Sequence, residues 1–393
     1  MVGADTAWII VATALVLFMT LPGLALFYGG LVRSRNVLSV FMHCYSIAAL
    51  MSVLWLALGY SIAFGGEGPF WGGLSKSFLA GVDADAVAGT IPEILFFAFQ
   101  MTFAIITPAL IVGAYVERVG FGFVLAFSSL WMLICYAPVV HWIWGGGMLA
   151  GGEGALFEAP VLDFAGGLVV HETAGIAALL IAVVLGPRSD RTKPPHNPGF
   201  VMLGASMLWV GWFGFNGGSQ LAADGGAAMA LTVTHLSAAA ASLSWAAWER
   251  IRFGKASLVG IVTGTIAGLA SITPASGFVG PVQALIIGGV AGVLCQEAVG
   301  LIRNRLKIDD TLDVFAVHGV GGLFGTAMIA AFGLGSWASQ LGGMLVVGLW
   351  TVVVTLVLIY AVKLVFPLRV SKEIEQEGLD LAVHGEQAYP SPS

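Results

Sequence analysis

The chain has 393 residues, of which 58% are hydrophobic and only 10% charged, with 54 glycines and a mean hydropathy of +0.93. So few ionisable groups cannot solvate a soluble domain of this size, so the composition is that of a polytopic helical membrane protein. The net charge of -6 says little about partners, and no nucleic-acid partner is expected.

In chain order, the apolar runs predict about eleven spans, near 8–31, 37–65, 92–116, 120–144, 161–186, 198–219, 226–248, 256–273, 278–302, 311–333 and 335–366. The first run has no basic segment before it and continues through Phe27-Tyr28-Gly29-Gly30 to Arg33 and Arg35, which fits a retained span, not a cleaved signal, with the N-terminus outside. Alternate loops then place every lysine and arginine except Lys76 on the inner side: Arg33, Arg35, Arg118, Arg188, Arg191, Lys193, Arg250, Arg252, Lys255, Arg303, Arg305, Lys307, Lys363, Arg369 and Lys372. The expected orientation is N-out and C-in, in a cell (inner) membrane. The outer segments carry Asp5, Glu67, Asp83, Asp85, Glu153, Glu158 and Asp224, a weakly acidic face that favours cations. Cys44, Cys135 and Cys295 lie in apolar stretches without a C-x-x-C pair or a Cys/His cluster, so free thiols, no metal and no cofactor are expected.

Two ionisable pairs stand out within these spans. His171 follows Asp163 in DFAGGLVVH and His318 follows Asp310 in DTLDVFAVH, with the same spacing and 147 residues between the histidines. Ionisable groups inside a span are costly and usually face a pathway, although helix caps followed by core histidines would give the same pattern. Five spans per half oblige the second half to start on the opposite side, the mark of an inverted repeat with a path at its midplane. The expected architecture is therefore all-α, about 11 transmembrane helices, a 5+5 inverted repeat (about 8–186 and 198–333) plus a final long helix (335–366). It makes a membrane domain of 1–370 and a polar, acidic cytoplasmic tail of 371–393.

The strings GLALFYGGLVRSRN, FQMTFAIITPALIVGAYVER, HWIWGGGMLA, LDFAGGLVVH, GWFGFNGGS, DVFAVHGVGG and EGLDLAVHGEQAY resemble, in order and over essentially the whole chain, the ammonium transporter, methylammonium permease and Rhesus protein family, on its bacterial ammonium transporter branch. The resemblance implies a homotrimer with one narrow pore per protomer, carrying ammonium or ammonia and also methylammonium. It implies an outer recruitment site of Trp144 and Ser219 with Phe103 and Asp163, a gate of Phe103 and Phe215, and a lumen of His171 and His318. Trp212 and Gln100 are further candidates by motif position. An indole face attracts a partly desolvated ammonium by about 2 kcal/mol, and a hydroxyl accepts one N–H. A hydrophobic gate excludes hydrated ions, and potassium cannot lose a proton as ammonium does. Imidazoles that both donate and accept then guide ammonia and relay the released proton, which favours net ammonium transport by separated routes.

Glu172 departs from the family pattern in VVHETAG; at about 100° per residue it should point away from His171, protonated or hydrogen-bonded at a helix or subunit contact. Asp310 is expected to be structural. The tail from Arg369 to Tyr389 resembles a regulatory region, its acids facing the basic loops Arg188–Lys193 and Arg303–Lys307, with a trimeric P-II signal protein as the implied partner. An ammonium sensor using the same site is the second function class; a charge-ring ion channel and an enzyme find no supporting residues.

Overall fold

The structure, a computed structural model, describes residues 1–190 and 194–389. Arg191 and Lys193 of the expected basic inner loop, and the tail end from Pro390 to Ser393, lie outside the described residues.

Among the described residues, nine helices are long and apolar enough to cross a membrane: α1 (Gly3–Leu31), α2 (Ser34–Phe64), α3 (Glu93–Tyr115), α4 (Phe121–Trp144), α5 (Gly167–Leu185), α6 (Pro198–Gly218), α7 (Gly225–Phe253), α9 (Pro281–Arg305) and α11 (Trp337–Lys363). Two shorter apolar helices, α8 (Leu258–Ile272) and α10 (Phe315–Ala331), lie within two further expected spans. Two short tail helices follow, α12 (Lys372–Glu377) and α13 (Leu379–His384). The chain is a mostly helical, multi-pass membrane protein.

Two of the shifts from the expected boundaries have one cause. α5 begins at Gly167 instead of near 161, and α10 at Phe315 instead of near 311. In each case the apolar residues after the aspartate belong to an irregular lead-in that the aspartate itself terminates, as its carboxylate accepts the first helical N–H groups. Both helices open on a wide π turn, Gly167–Glu172 and Phe315–Gly319, and each turn holds a histidine. Such bulges shift side-chain direction by a fraction of a turn and often mark functional sites.

With outer and inner sides named by the expected N-out orientation, α3 is buried on all sides through its inner half, from Thr102 to Tyr115, and forms the centre of the bundle. α1 packs on α6, α7 on α8 and α9, and α5 lies between α3, α10 and α11. One face of α11 (Leu341, Leu345, Leu349, Val353, Val357) is exposed and wholly apolar, as a lipid-facing surface requires. The outer segment between α2 and α3 includes a two-stranded hairpin pairing Val87 with Pro92 and Ala88 with Ile91.

Candidate functional site

Three cavities lie in series through the bundle. The outer one, about 220 Å³, is lined by Phe96, Gln100, Phe103, Trp144, Phe164, Ser219 and Leu221. Trp144 reaches it from the last turn of α4, with its indole N–H donating to the Asp163 carbonyl at 2.7 Å, so the ring's face is the surface left to offer. Ser219 Oγ donates to the Phe215 carbonyl at 2.8 Å, which leaves its lone pairs free to accept. Gln100 Oε1 is buried without a partner among the described residues, a second acceptor. Phe96, Phe164 and Leu221 escape sequence reasoning, because single apolar residues in apolar runs carry no signal.

Phe103 and Phe215 close the floor of this cavity, their ring centroids 4.2 Å apart, and Phe103 meets the Trp144 indole edge-on at 6.0 Å. Below them a constriction of about 10 Å³, scarcely room for one water, is lined by His171, His318, Trp212, Phe215 and aliphatic side chains. His171 Nδ1 and His318 Nδ1 are 3.1 Å apart, so one carries the proton and the other accepts it. The His171 ring also stacks on Trp212 and Phe215, at 5.5 and 6.2 Å. Trp212 is itself fixed by its N–H to Thr273 Oγ1 at 2.8 Å. That threonine, a hydroxyl directly after the apolar run of α8, was a signal available to sequence reasoning and not used.

Glycines let α5 and α10 approach closely enough for the histidines to meet. A Cβ on Gly175, four residues after His171, would lie 2.5 Å from Gly319 Cα; one on Gly322, four residues after His318, would lie 2.8 Å from His171 Cβ. Each histidine therefore heads an H-x3-G pattern in which the glycine admits the opposite helix.

The two aspartates differ. Asp163 Oδ1 accepts from Gly166 and Gly167 N–H at 2.9 and 2.6 Å, and Oδ2 from Leu168 and Val169 at 2.8 and 3.0 Å. One carboxylate thus satisfies the four donors that a helix start leaves open, helped by Gly166 at φ 119 in the left-handed region. Its bonds run to backbone N–H groups, and it is not among the residues lining the outer cavity; it meets that site through its carbonyl and Trp144. Asp310 accepts from Phe315 N at 2.8 Å, while its Oδ1 has no partner among the described residues. Glu172 turns away from the lumen toward α11: Oε1 lies where a Cβ on Gly348 would be 2.9 Å away, and Oε2 is buried without a partner among the described residues.

The inner cavity, about 720 Å³, shares His318 with the constriction and is lined by Arg188, Glu249, Arg252, Glu297, Arg303 and Asp313 among others. Beside it the inner helix ends are bound by a buried ion network. Glu117 accepts from Arg33 Nε at 3.0 Å and from Arg188 at 2.9 Å, and Arg188 also grips Asp309 through two nitrogens, both at 3.0 Å. Burial pushes the Glu117 carboxyl up, but Arg188 and Arg33 together hold it below its ordinary value. Glu375 of α12 accepts from Ser189 N at 2.6 Å and Arg369 at 2.7 Å, and Asp380 of α13 from Leu38 and Ser39 N at 3.1 and 2.7 Å. The tail is therefore docked beneath its own protomer. One expectation is corrected: among the described residues Arg303 pairs with Asp313 at 2.6 Å and not with the tail, whose Glu375 and Asp380 are buried.

Helices of this arrangement, enclosing cavities in series with a histidine pair between them, define a polytopic transport-type membrane protein. Residues 7–389 match the model of the Ammonium Transporter Family. The chain is 44% identical to an ammonium transporter of Bacillus subtilis and 43% to a putative ammonium transporter of Methanothermobacter thermautotrophicus, each over 98% of both chains. Among solved structures it superposes on one titled as a sensor Amt protein with TM-score 0.90 and 31% identity, covering 97% of this chain and 98% of that one. Mep2 of Saccharomyces cerevisiae superposes with TM-score 0.84 and 35% identity, over 94% and 89%. The chain belongs to the ammonium transporter family.

Proposed function

We propose that the chain moves ammonium across the cell membrane by recruiting it at Trp144, Ser219 and Gln100, deprotonating it at the Phe103/Phe215 gate, and conducting ammonia past His171 and His318. The observation that carries this reading is the series of three cavities, in which an aromatic floor separates an acceptor-lined vestibule from a constriction holding a hydrogen-bonded histidine pair. The outer cavity has two π faces and two free acceptors, the complement of a small cation with N–H donors. At the floor, shedding the proton costs less than carrying a bare charge into an apolar channel, a step closed to potassium. Within the constriction the imidazoles replace lost water as donors and acceptors, and the proton travels apart from ammonia along the pair. Asp163 acts through the backbone it organises and the Trp144 indole it holds.

The remaining parts of the proposal are a two-half membrane domain (1–370) with an inverted repeat, an N-out/C-in orientation, a homotrimer, and a regulatory tail (371–393) read by a P-II-type signal protein. Nothing in the site offers the nucleophile–base pair of an enzyme. One observation favours a second reading, ammonium sensing: the superposition on the structure titled as a sensor Amt protein. Current recording on proteoliposomes under ammonium and potassium gradients separates them. We expect ammonium-evoked current, no potassium response, and loss of selective ammonium current in the His171→Ala/His318→Ala double variant with the fold retained. Undiminished selective current in the double variant would remove the histidines from the mechanism, and ammonium binding with no flux would establish the sensor.

A further inference from the structure

The outer end of α4 holds a histidine that the passage itself does not use. His141 is fully buried one turn before Trp144, with its ring between two backbone carbonyls: Nδ1 is 2.8 Å from Ala63 O, and Nε2 contacts Gly68 O. Carbonyl oxygens only accept, so the ring sits between them as a hydrogen-bond donor.

The backbone of the same residue ends the helix. The His141 carbonyl accepts from Gly145 N at 3.0 Å and Gly147 N at 2.9 Å. A Cβ on Gly145 would lie 2.8 Å from His141 Nδ1, and one on Gly147 would lie 2.8 Å from Cδ2, so the two glycines wrap the ring. Two further bonds run parallel to it, Trp142 Nε1 to Phe70 O and Met148 N to Pro69 O, both 2.9 Å. The segment following α2 is thereby joined to the segment following α4, which Trp144 immediately precedes, its indole N–H held by the Asp163 carbonyl.

We propose that His141 is a positioning residue for the outer vestibule: lodged between the Ala63 and Gly68 carbonyls, it ties residues 63–68 to the HWIWGGG turn and so sets the Trp144 indole over the Phe103/Phe215 gate. This rests on the reading of Trp144 as the recruitment face. A residue that only stabilised the fold would lower the amount of active protein and hence Vmax; one that sets Trp144 weakens capture and raises KM while the constriction, untouched, keeps Vmax.

The test measures flux against ammonium concentration in proteoliposomes for Trp144→Leu, His141→Gln and His141→Leu, each checked for a monodisperse fold. Trp144→Leu should raise KM roughly thirtyfold, the loss of a desolvated cation–π contact. His141→Leu, with no donors, should raise KM roughly tenfold with Vmax within about twofold of wild type, and His141→Gln, which keeps one donor amide, should fall between His141→Leu and wild type. If Trp144→Leu raises KM and His141→Leu does not, the positioning role is overturned. A fall in Vmax alone overturns it too. If Trp144→Leu leaves KM unchanged, the recruitment reading fails, and the kinetic role of His141 with it.

Discussion

At the residue scale, the paired aspartates show how one residue type in one sequence setting does different amounts of work. Asp163 accepts four backbone N–H groups, whereas Asp310 accepts from Phe315 and leaves Oδ1 unpartnered among the described residues. Buried donors without acceptors cost about 1–3 kcal/mol each, against about 1 kcal/mol for an ordinary lost cap. Asp163→Ala should therefore destabilise the fold by several kcal/mol and abolish ammonium flux, with Asp163→Asn intermediate because its amide has a single acceptor oxygen. Asp310→Ala should cost about 1 kcal/mol. Thermal unfolding in detergent beside flux measurements checks both; equal losses at the two aspartates would show that the fourfold cap contributes no more than a simple one.

At the scale of elements, the meeting of α5 with α10 is made by Gly175, Gly319 and Gly322, and the inner ends of α1, α3, α5 and α10 are held by Glu117, Arg188 and Asp309. The carboxyls of Glu117, Asp309 and Glu375 are all pushed up by burial, yet they sit below their ordinary values because Arg188, Arg33 and Arg369, with the Ser189 N–H, more than offset it. Carboxyls depressed on folding stabilise the protein above their ordinary values, 4.5 for Glu and 3.8 for Asp, and lose that contribution as pH falls through the depressed folded values. The inner network should thus be intact at neutral pH and be lost progressively as pH falls below these ordinary values, seen as falling thermal stability and rising protease cleavage of the tail. Arg188→Ala leaves two buried carboxylates short of a partner, costs about 3–5 kcal/mol, and should move that loss to higher pH. An unchanged acid profile in Arg188→Ala would show that Arg188 does not set these carboxyls.

For the molecule as a whole, the outer cavity, the constriction and the inner cavity form one line, and the tail braces the helix ends around the last of them. Glu375 and Asp380 are buried, so removing the tail uncovers the Ser189, Leu38 and Ser39 N–H groups and frees Arg369. Deleting the residues after Val370 should lower or uncouple ammonium flux while leaving assembly intact, measured by flux and size-exclusion chromatography. Flux unchanged, together with an unchanged response to the inner partner, would leave the tail without a regulatory role.

By itself the sequence determined the solvent, the apolar helices and the residues that come together around the passage. Burial in lipid demands long apolar runs, and those are local patterns readable one window at a time. Trp144, Ser219, Phe103, Phe215, Gln100, Trp212 and both histidines were legible because motif strings named them, and all line the outer cavity or the constriction. Asp163 was legible too, but its fourfold backbone cap was not, since a carboxylate in sequence does not say which N–H groups will face it. The π turns under His171 and His318, the crossing of Gly175 on Gly319 and the partners of Arg303 and Glu375 were decided only in three dimensions. Each joins groups far apart in the chain, or turns a side chain by a fraction of a helical turn. Hydrophobic period is blind to both, and it cannot say which of two neighbouring charges an arginine will meet once both are buried.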